Sequence, residues 1–248
     1  EPSGIQVVIP VMTSSAPLIE LRSLVRSGSL GGVVLMDVAQ GDEREAMLLD
    51  EEIPTVLIGS SGRAVGAPGV DTDFVQMAHA SVEHLAGLGH RRIIALMRET
   101  AYDDAHARQD QAHELLRAAG DLGVDVLVRQ VPELALACGD IVGADGLVEG
   151  CSAVISNNPA AVVGLACAAQ AHGLSIPADL SVLTLGVTEC RGRQRESFSE
   201  LSVDREAMGA AAGSLLLARL RGEPDPVERR RLMPAFLRDR GSTARFRS

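Results

Sequence analysis

The 248-residue sequence contains no lysine and no tryptophan, and its aromatic complement is one tyrosine and four phenylalanines. All 23 basic residues are therefore arginine, a bias that GC-rich codons for arginine and alanine account for without a functional reason. No stretch approaches the roughly 18 uninterrupted apolar residues of a membrane span. The opening residues Glu1-Pro2-Ser3-Gly4 have neither the basic start nor the apolar run of a signal peptide. Cysteine is scarce and scattered: Cys138, Cys151, Cys167 and Cys190 form no C-x-x-C pair and read as reduced thiols of a cytoplasmic protein. The histidines also lack metal spacing, since His79 and His84 are five apart and His106 and His113 seven apart. No metal and no cofactor are expected.

What is present is ordinary for a globular protein: 46% hydrophobic and 23% charged residues, enough for one large core or two smaller ones. The net charge of −10 and pI near 5.1 describe a surface that repels phosphate, so these residues alone should bind nucleic acid poorly.

Short apolar runs alternate with amphipathic segments, the pattern of parallel β-α-β units. The run 5–10 (IQVVIP) predicts a buried strand, and 17–26 a helix with Leu18, Ile19, Leu21, Leu24 and Val25 on its apolar face. Strands follow at 33–36 and 55–58, with a helix over 43–49 between them. A long helix over 73–88 stops at Gly89 and leads to a strand at 93–97. The second half repeats the rhythm: helix 104–119, strand 125–129, helix 134–148, strand 152–156, helix 159–172 and strand 181–185. A last helix over 204–220 stops at Gly222, and 232–237 (LMPAFL) reads as a closing strand.

Two successive blocks, 1–98 and 99–187, predict an α/β protein of two Rossmann-like lobes with parallel sheets. The tail is divided between them, 188–222 with the first lobe and 223–248 with the second. Ligands of open α/β sheets bind beyond the carboxyl ends of the strands, so the expected site is the cleft between the lobes.

An enzyme is disfavoured. The sequence has no G-x-S-x-G elbow, Walker loop or strand-anchored G-x-G-x-x-G. Gly59-Ser60-Ser61-Gly62 is followed by more loop rather than a helix, and the pairs Glu51-Glu52 and Asp103-Asp104 read as charged surface.

Four segments resemble the LacI/GalR family of regulators, in the family's order. Residues 73–93 (DFVQMAHASVEHLAGLGHRRI) resemble its helix ending in H-L-x-x-L-G-H-R-R-I. Residues 175–182 (SIPADLSV) resemble the V-P-x-D-V-S-V link. Residues 198–209 (FSELSVDREAMG) resemble the entry into the last long helix, and 232–243 (LMPAFLRDRGST) the L-x-P-x-L-x-x-R-x-S-T ending. The resemblance covers nearly the whole chain. It implies a type I periplasmic-binding-protein-like fold with three crossovers, and a homodimer formed side by side along both lobes. It also implies a small-molecule effector in the cleft whose binding changes lobe orientation and so affinity for operator DNA. On this alignment residues 4–10 match the family's second strand. The helix-turn-helix, the hinge, and the first strand and helix then lie outside these 248 residues. A secreted sugar-type solute-binding protein shares the fold and is the alternative reading.

The resemblance also nominates effector-binding residues. Arg108 falls on the family's effector-binding arginine, whose planar fork of donors suits a hydroxyl pair, carboxylate or phosphate; the other reading is a solvated helix arginine. Asn158 falls on the family's asparagine, where it would read a hydroxyl or simply cap the next helix. Asp73 faces the cleft mouth or caps its helix, and Met36 and Asp37 end the 33–36 strand on the same side. The sequence departs from the family at Gly186, where many sugar-binding members carry aspartate. It departs again at Gly59, in place of a polar contact, and at Ala112, in place of an aromatic.

Overall fold

The computed structural model describes residues 7, 17–99, 106–132, 151–186 and 198–246, with the side chains of residues 17 and 106–110 outside that description. The strand expected at 5–10 and the helix expected at 134–148 lie outside the described residues.

Among the described residues the chain forms two α/β units. The first has a four-stranded parallel sheet in the order β1 (Val33–Leu35), β2 (Thr55–Ile58), β3 (Gly69–Thr72), β9 (Arg230–Met233). On one face lie α1 (Pro17–Arg26) and α2 (Glu43–Asp50), where Leu21, Leu48 and Met47 pack against Leu35 and Leu57. On the other face lies α6 (Arg205–Leu220).

The second unit has six strands in the order β10 (Ala235–Arg238), β8 (Ser199–Val203), β7 (Ser181–Leu185), β6 (Ala153–Ser156), β4 (Arg92–Arg98), β5 (Asp125–Val131). All pairings are parallel except β10 with β8. Alternation along these strands sends Ile94, Leu96, Val154 and Val182 to the face covered by α5 (Pro159–Ala171). It sends Ile93, Ala95, Ile155 and Leu183 to the opposite face, where α3 (Phe74–Gly87) and α4 (His106–Leu122) pack together. That second cluster continues into the first unit through Met77, Val203, Met208 and Met233, so one apolar core runs past the crossovers.

Among the described residues the lobes meet at three crossovers of one residue each: Asp73 between β3 and α3, Asp204 between β8 and α6, and Pro234 between β9 and β10. They lie side by side, because β9 pairs with β3 up to Thr72–Met233 and β10 pairs with β8 from Ala235–Val203. The Asp73 amide donates to the Met233 carbonyl at 2.9 Å, and the Gln76 side chain makes both hydrogen bonds of the Ala235 backbone.

These crossovers correct the lobe boundaries expected from the sequence. The chain leaves the first lobe at residue 73 rather than 98, and returns at 204 rather than 187. It leaves again at 234 rather than 222. The 92–98 strand lies between β5 and β6 of the second sheet, so both it and α3 belong to the second lobe. The expected closing strand is two strands. Pro234 lacks the N–H that a continuous ladder needs, and the break hands the chain from one sheet to the other.

Candidate functional site

β3 and β9 end at crossovers, as β8 does from the other lobe, and the parallel strands beside them run the same way. Both sheets therefore present their carboxyl ends to the crossovers, and the cleft is bounded by the loops that leave β1, β2, β4, β6 and β7.

On the first lobe the rim is tied down by charged hydrogen bonds. Asp42 caps α2, accepting from the Arg44 amide at 2.9 Å and the Ala39 amide at 3.0 Å. Its carboxylate also holds the Arg44 guanidinium at 2.7 Å. Burial raises the Asp42 pKa, but the hydrogen bonds from Arg44 and from the two amides outweigh it and leave it below the usual range. Arg44 in turn donates to the carbonyls of Met36 at 3.3 Å and Asp37 at 2.9 Å. It thereby holds the loop after β1, in which Asp37 has a φ of +49°. Met36 and Asp37 are both exposed on this rim. The loop after β2 is fixed in the same way. Arg63 donates to the Gly41 carbonyl at 2.9 Å and pairs with the buried Glu45 at 3.2 Å, while Glu45 accepts from the Ala67 amide at 2.8 Å.

On the second lobe the two asparagines after β6 part company. Asn158 is fully buried. Its Oδ1 accepts from the Ala160 and Ala161 amides at 3.0 and 3.2 Å, capping α5 ahead of Pro159. Its Nδ2 donates to the carbonyls of Val131 and Pro132 at 3.0 and 3.1 Å. Every hydrogen-bonding capacity of that carboxamide is used. Of the two roles open in the sequence the structure gives Asn158 the cap, and a ligand contact is corrected away.

Its neighbour Asn157, which the sequence reading passed over, is half-buried and lies at the carboxyl end of β6, where the strand ends meet the cleft. Its Oδ1 accepts from the Arg98 amide at 2.8 Å and its Nδ2 donates to Gln111 Oε1 at 2.7 Å. The pair itself was visible in the sequence, but its division of labour turns on which of the two adjoins the helix. In a strand-to-helix turn the residue next to the helix caps it, and the one before it sits at the strand end.

Asp73 also caps, its Oδ1 accepting from the Gln76 amide at 2.9 Å, so one carboxylate oxygen serves α3 at the crossover. Asp204 does the same for α6 through the Ala207 amide at 2.9 Å. Arg108 lies in α4, one turn before Gln111, and its side chain is outside the described residues. Gly186, with a φ of +64°, leaves its carbonyl to the Arg205 guanidinium and brings no side chain to the cleft.

Away from the cleft, two of the motifs singled out in the sequence meet. His84 and His90 of the 73–93 segment contact the 239–246 tail. His84 Nε2 lies 3.0 Å from Thr243 Oγ1, and His90 Nε2 lies 3.0 Å from the Ala244 carbonyl. A carbonyl only accepts, so His90 carries its proton on Nε2 and accepts from Ser152 Oγ on Nδ1, at 2.7 Å. Burial lowers the pKa of both histidines. Of the cysteines, Cys138 and Cys190 lie outside the described residues. Cys151 and Cys167 form no disulfide among the described residues, and burial pushes the Cys151 thiol up. Among the described residues no group of three or more His, Cys, Asp or Glu side chains is placed to hold a metal ion.

Comparison with known proteins adds the relationship. A model of the periplasmic binding protein-like domain matches residues 82–243, most of the chain. The chain belongs to that family. Curated relatives of this periplasmic binding protein-like chain include an uncharacterized HTH-type transcriptional regulator in the aml 5′ region of Streptomyces limosus. It is 26% identical over 80% of this chain and 58% of its own length. The HTH-type regulator MalR of Streptomyces coelicolor is 24% identical over 91% of this chain and 67% of its own length. This chain thus spans under two thirds of the first of these relatives. Among solved structures, a LacI family regulator from Bifidobacterium animalis superposes with a TM-score of 0.80 at 20% identity, over 94% of this chain and 85% of that one. One from Enterococcus faecium with bound ribose superposes at 0.75 and 19% identity, over 93% and 85%. At these identities the likeness shows the shared two-lobed fold.

Proposed function

We propose that this chain is the effector-sensing and dimerising core of a LacI-type transcription regulator, acting as a repressor. A small polar molecule binds between the lobes and shifts their orientation. A helix-turn-helix elsewhere in the full protein engages operator DNA, and two copies associate side by side. The observation that carries this reading is the pattern of relatedness: the two HTH-type regulators named above match over 80% and 91% of this chain, and the chain spans only part of them. That pattern favours regulation over solute capture for transport, and favours binding over catalysis; no cofactor enters the reading. Action in the cytoplasm follows from the role.

The geometry supports sensing in a second way. Three adjacent one-residue crossovers form a hinge of the kind that lets one bound molecule bias the angle between two rigid lobes. The effector-facing residues in this reading are Arg108, Asn157, Met36 and Asp37, with Asp73 at the crossover. A neutral sugar suits the cleft, as the ribose held by the Enterococcus faecium relative illustrates.

The test uses the full-length protein. Fluorescence anisotropy on its own upstream DNA should show sequence-specific binding that one compound from a panel of sugars weakens. These 248 residues alone should dimerise in analytical ultracentrifugation and leave the same DNA unbound. Arg108→Ala should weaken the effector about tenfold or more, the loss of a charged hydrogen bond. Sequence-specific binding by the core alone, or full-length protein without DNA affinity, would refute the proposal.

A further inference from the structure

We infer that Gln111 is a positioning residue of the cleft: it holds the Asn157 carboxamide in one orientation and so selects for a neutral hydroxyl or amide group on the ligand. The inference rests on reading the cleft as an effector site, and deepens that reading.

The argument starts at a backbone group that can only donate. The Arg98 N–H ends β4 and meets Asn157 Oδ1 at 2.8 Å, which forces the asparagine's oxygen towards β4 and its nitrogen away. That nitrogen donates to Gln111 Oε1 at 2.7 Å, which fixes the glutamine in turn. Gln111 Nε2 then points at Met77 Sδ, a weak acceptor 3.6 Å away. The chain has one direction throughout, from the end of β4 through Asn157 and Gln111 to α3. Turning either amide over would set donor against donor or oxygen against oxygen.

Burial separates the roles along this chain. Met77 is 2% exposed and Gln111 7%, whereas Asn157 is half-buried at the strand ends. Gln111 shares a row of α4 with the buried Leu115 and Ala118, so its carboxamide is stranded among apolar groups unless it is hydrogen-bonded. Asn157 and Met77 are the partners it has among the described residues. Gln111 therefore stands behind Asn157 rather than in front of a ligand.

The consequence is chemical. Asn157 spends one lone pair on Arg98 and one N–H on Gln111, which leaves one lone pair and one N–H for the cleft. A carboxylate or phosphate would satisfy the N–H and face the lone pair; a cation would do the reverse. A hydroxyl or an amide gives and accepts at once and satisfies both.

Three variants test this: Gln111→Met, which conserves volume and removes the acceptor, Gln111→Glu, which keeps an acceptor, and Asn157→Ala. The first readout is hydrogen exchange at the Arg98 amide. Exchange should rise about tenfold in Gln111→Met, the equivalent of one lost net hydrogen bond, and stay near the parent's in Gln111→Glu. The second readout is thermal shift of the parent and the variants with D-ribose, cellobiose and D-gluconate. The parent should be stabilised by a neutral sugar and not by gluconate. That preference should disappear in Gln111→Met and Asn157→Ala, and persist in Gln111→Glu. Unchanged Arg98 exchange in Gln111→Met, or a parent that prefers gluconate, overturns the inference. If no neutral sugar shifts the parent while Arg98 exchange still rises in Gln111→Met, the effector reading and the ligand selection fall together. The positioning of Asn157 by Gln111 then stands by itself.

Discussion

Two adjacent asparagines follow β6, and burial assigns them different work: Asn158 is sealed beneath the α5 N-terminus and Asn157 is left at the cleft. Asn158→Ala removes an N-cap and leaves the buried carbonyl of Val131 without that donor. It should cost about 2–3 kcal/mol in urea unfolding, while the half-buried Asn157→Ala should cost clearly less. The sequence could place an asparagine at this turn but could not say which of two identical residues caps. That depends on which peptide group begins the helix, a difference of one residue that lies within the uncertainty of any boundary read from periodicity.

The histidines give a residue-scale prediction with a sign. Burial holds both His84 and His90 below the usual histidine range. Between their folded values and that of the unfolded chain, the unfolded state binds more protons, so stability rises with pH across the window. Their contribution is present above about pH 6.5 and is lost as pH falls below it. The urea midpoint should drop between pH 7.5 and 5.5, and the drop should be smaller in His90→Gln.

At the scale of elements, the strands with uninterrupted apolar runs were legible: 55–58 and 181–185 agree in both bounds, and 33–36 and 93–97 to within a residue. β3 and β8 were not. Their sequences, GVDT and SELSV, carry Asp71 and Glu200, charges that interrupt an apolar run, yet both carboxylates are buried. Asp71 is held by Arg230 at 2.8 Å, and Glu200 has Arg240 at 3.6 Å, each partner coming from the tail more than 35 residues away. A period-2 pattern cannot show that a charge is inside with a distant partner. The turn after β7 offers a test at this scale. Gly186 has a φ of +64°, and among the described residues a Cβ there would meet nothing nearer than Arg205 at 3.9 Å. Gly186→Ala should therefore cost only the backbone penalty, about 1–2 kcal/mol, in chemical denaturation. A larger loss would mean that the space around this turn is tighter than the structure shows.

For the whole molecule, two lobes and a cleft were readable from the β/α rhythm, and the resemblance motifs implied a periplasmic-binding-protein-like fold, the family whose model matches residues 82–243. Where the chain changes lobes was not readable. Each crossover is one residue, so no linker composition marks it, and the helices beyond Asp73 and Asp204 begin with ordinary caps. Only strand pairing reveals that 92–98 lies in the second sheet. The same crossovers make the central claim testable, because a ligand held between the lobes binds the folded, closed arrangement and stabilises it.

The most direct measurement is therefore the thermal unfolding of this core across a titration of neutral sugars. At a hundredfold excess over its dissociation constant a true effector adds about 2.7 kcal/mol, which for a chain of this size moves Tm by roughly 5–10 °C. The account predicts such a saturable rise with one neutral sugar, and its loss in Asn157→Ala. A rise of the same size that survives in Asn157→Ala, or stabilisation by anionic sugars alone, would contradict it.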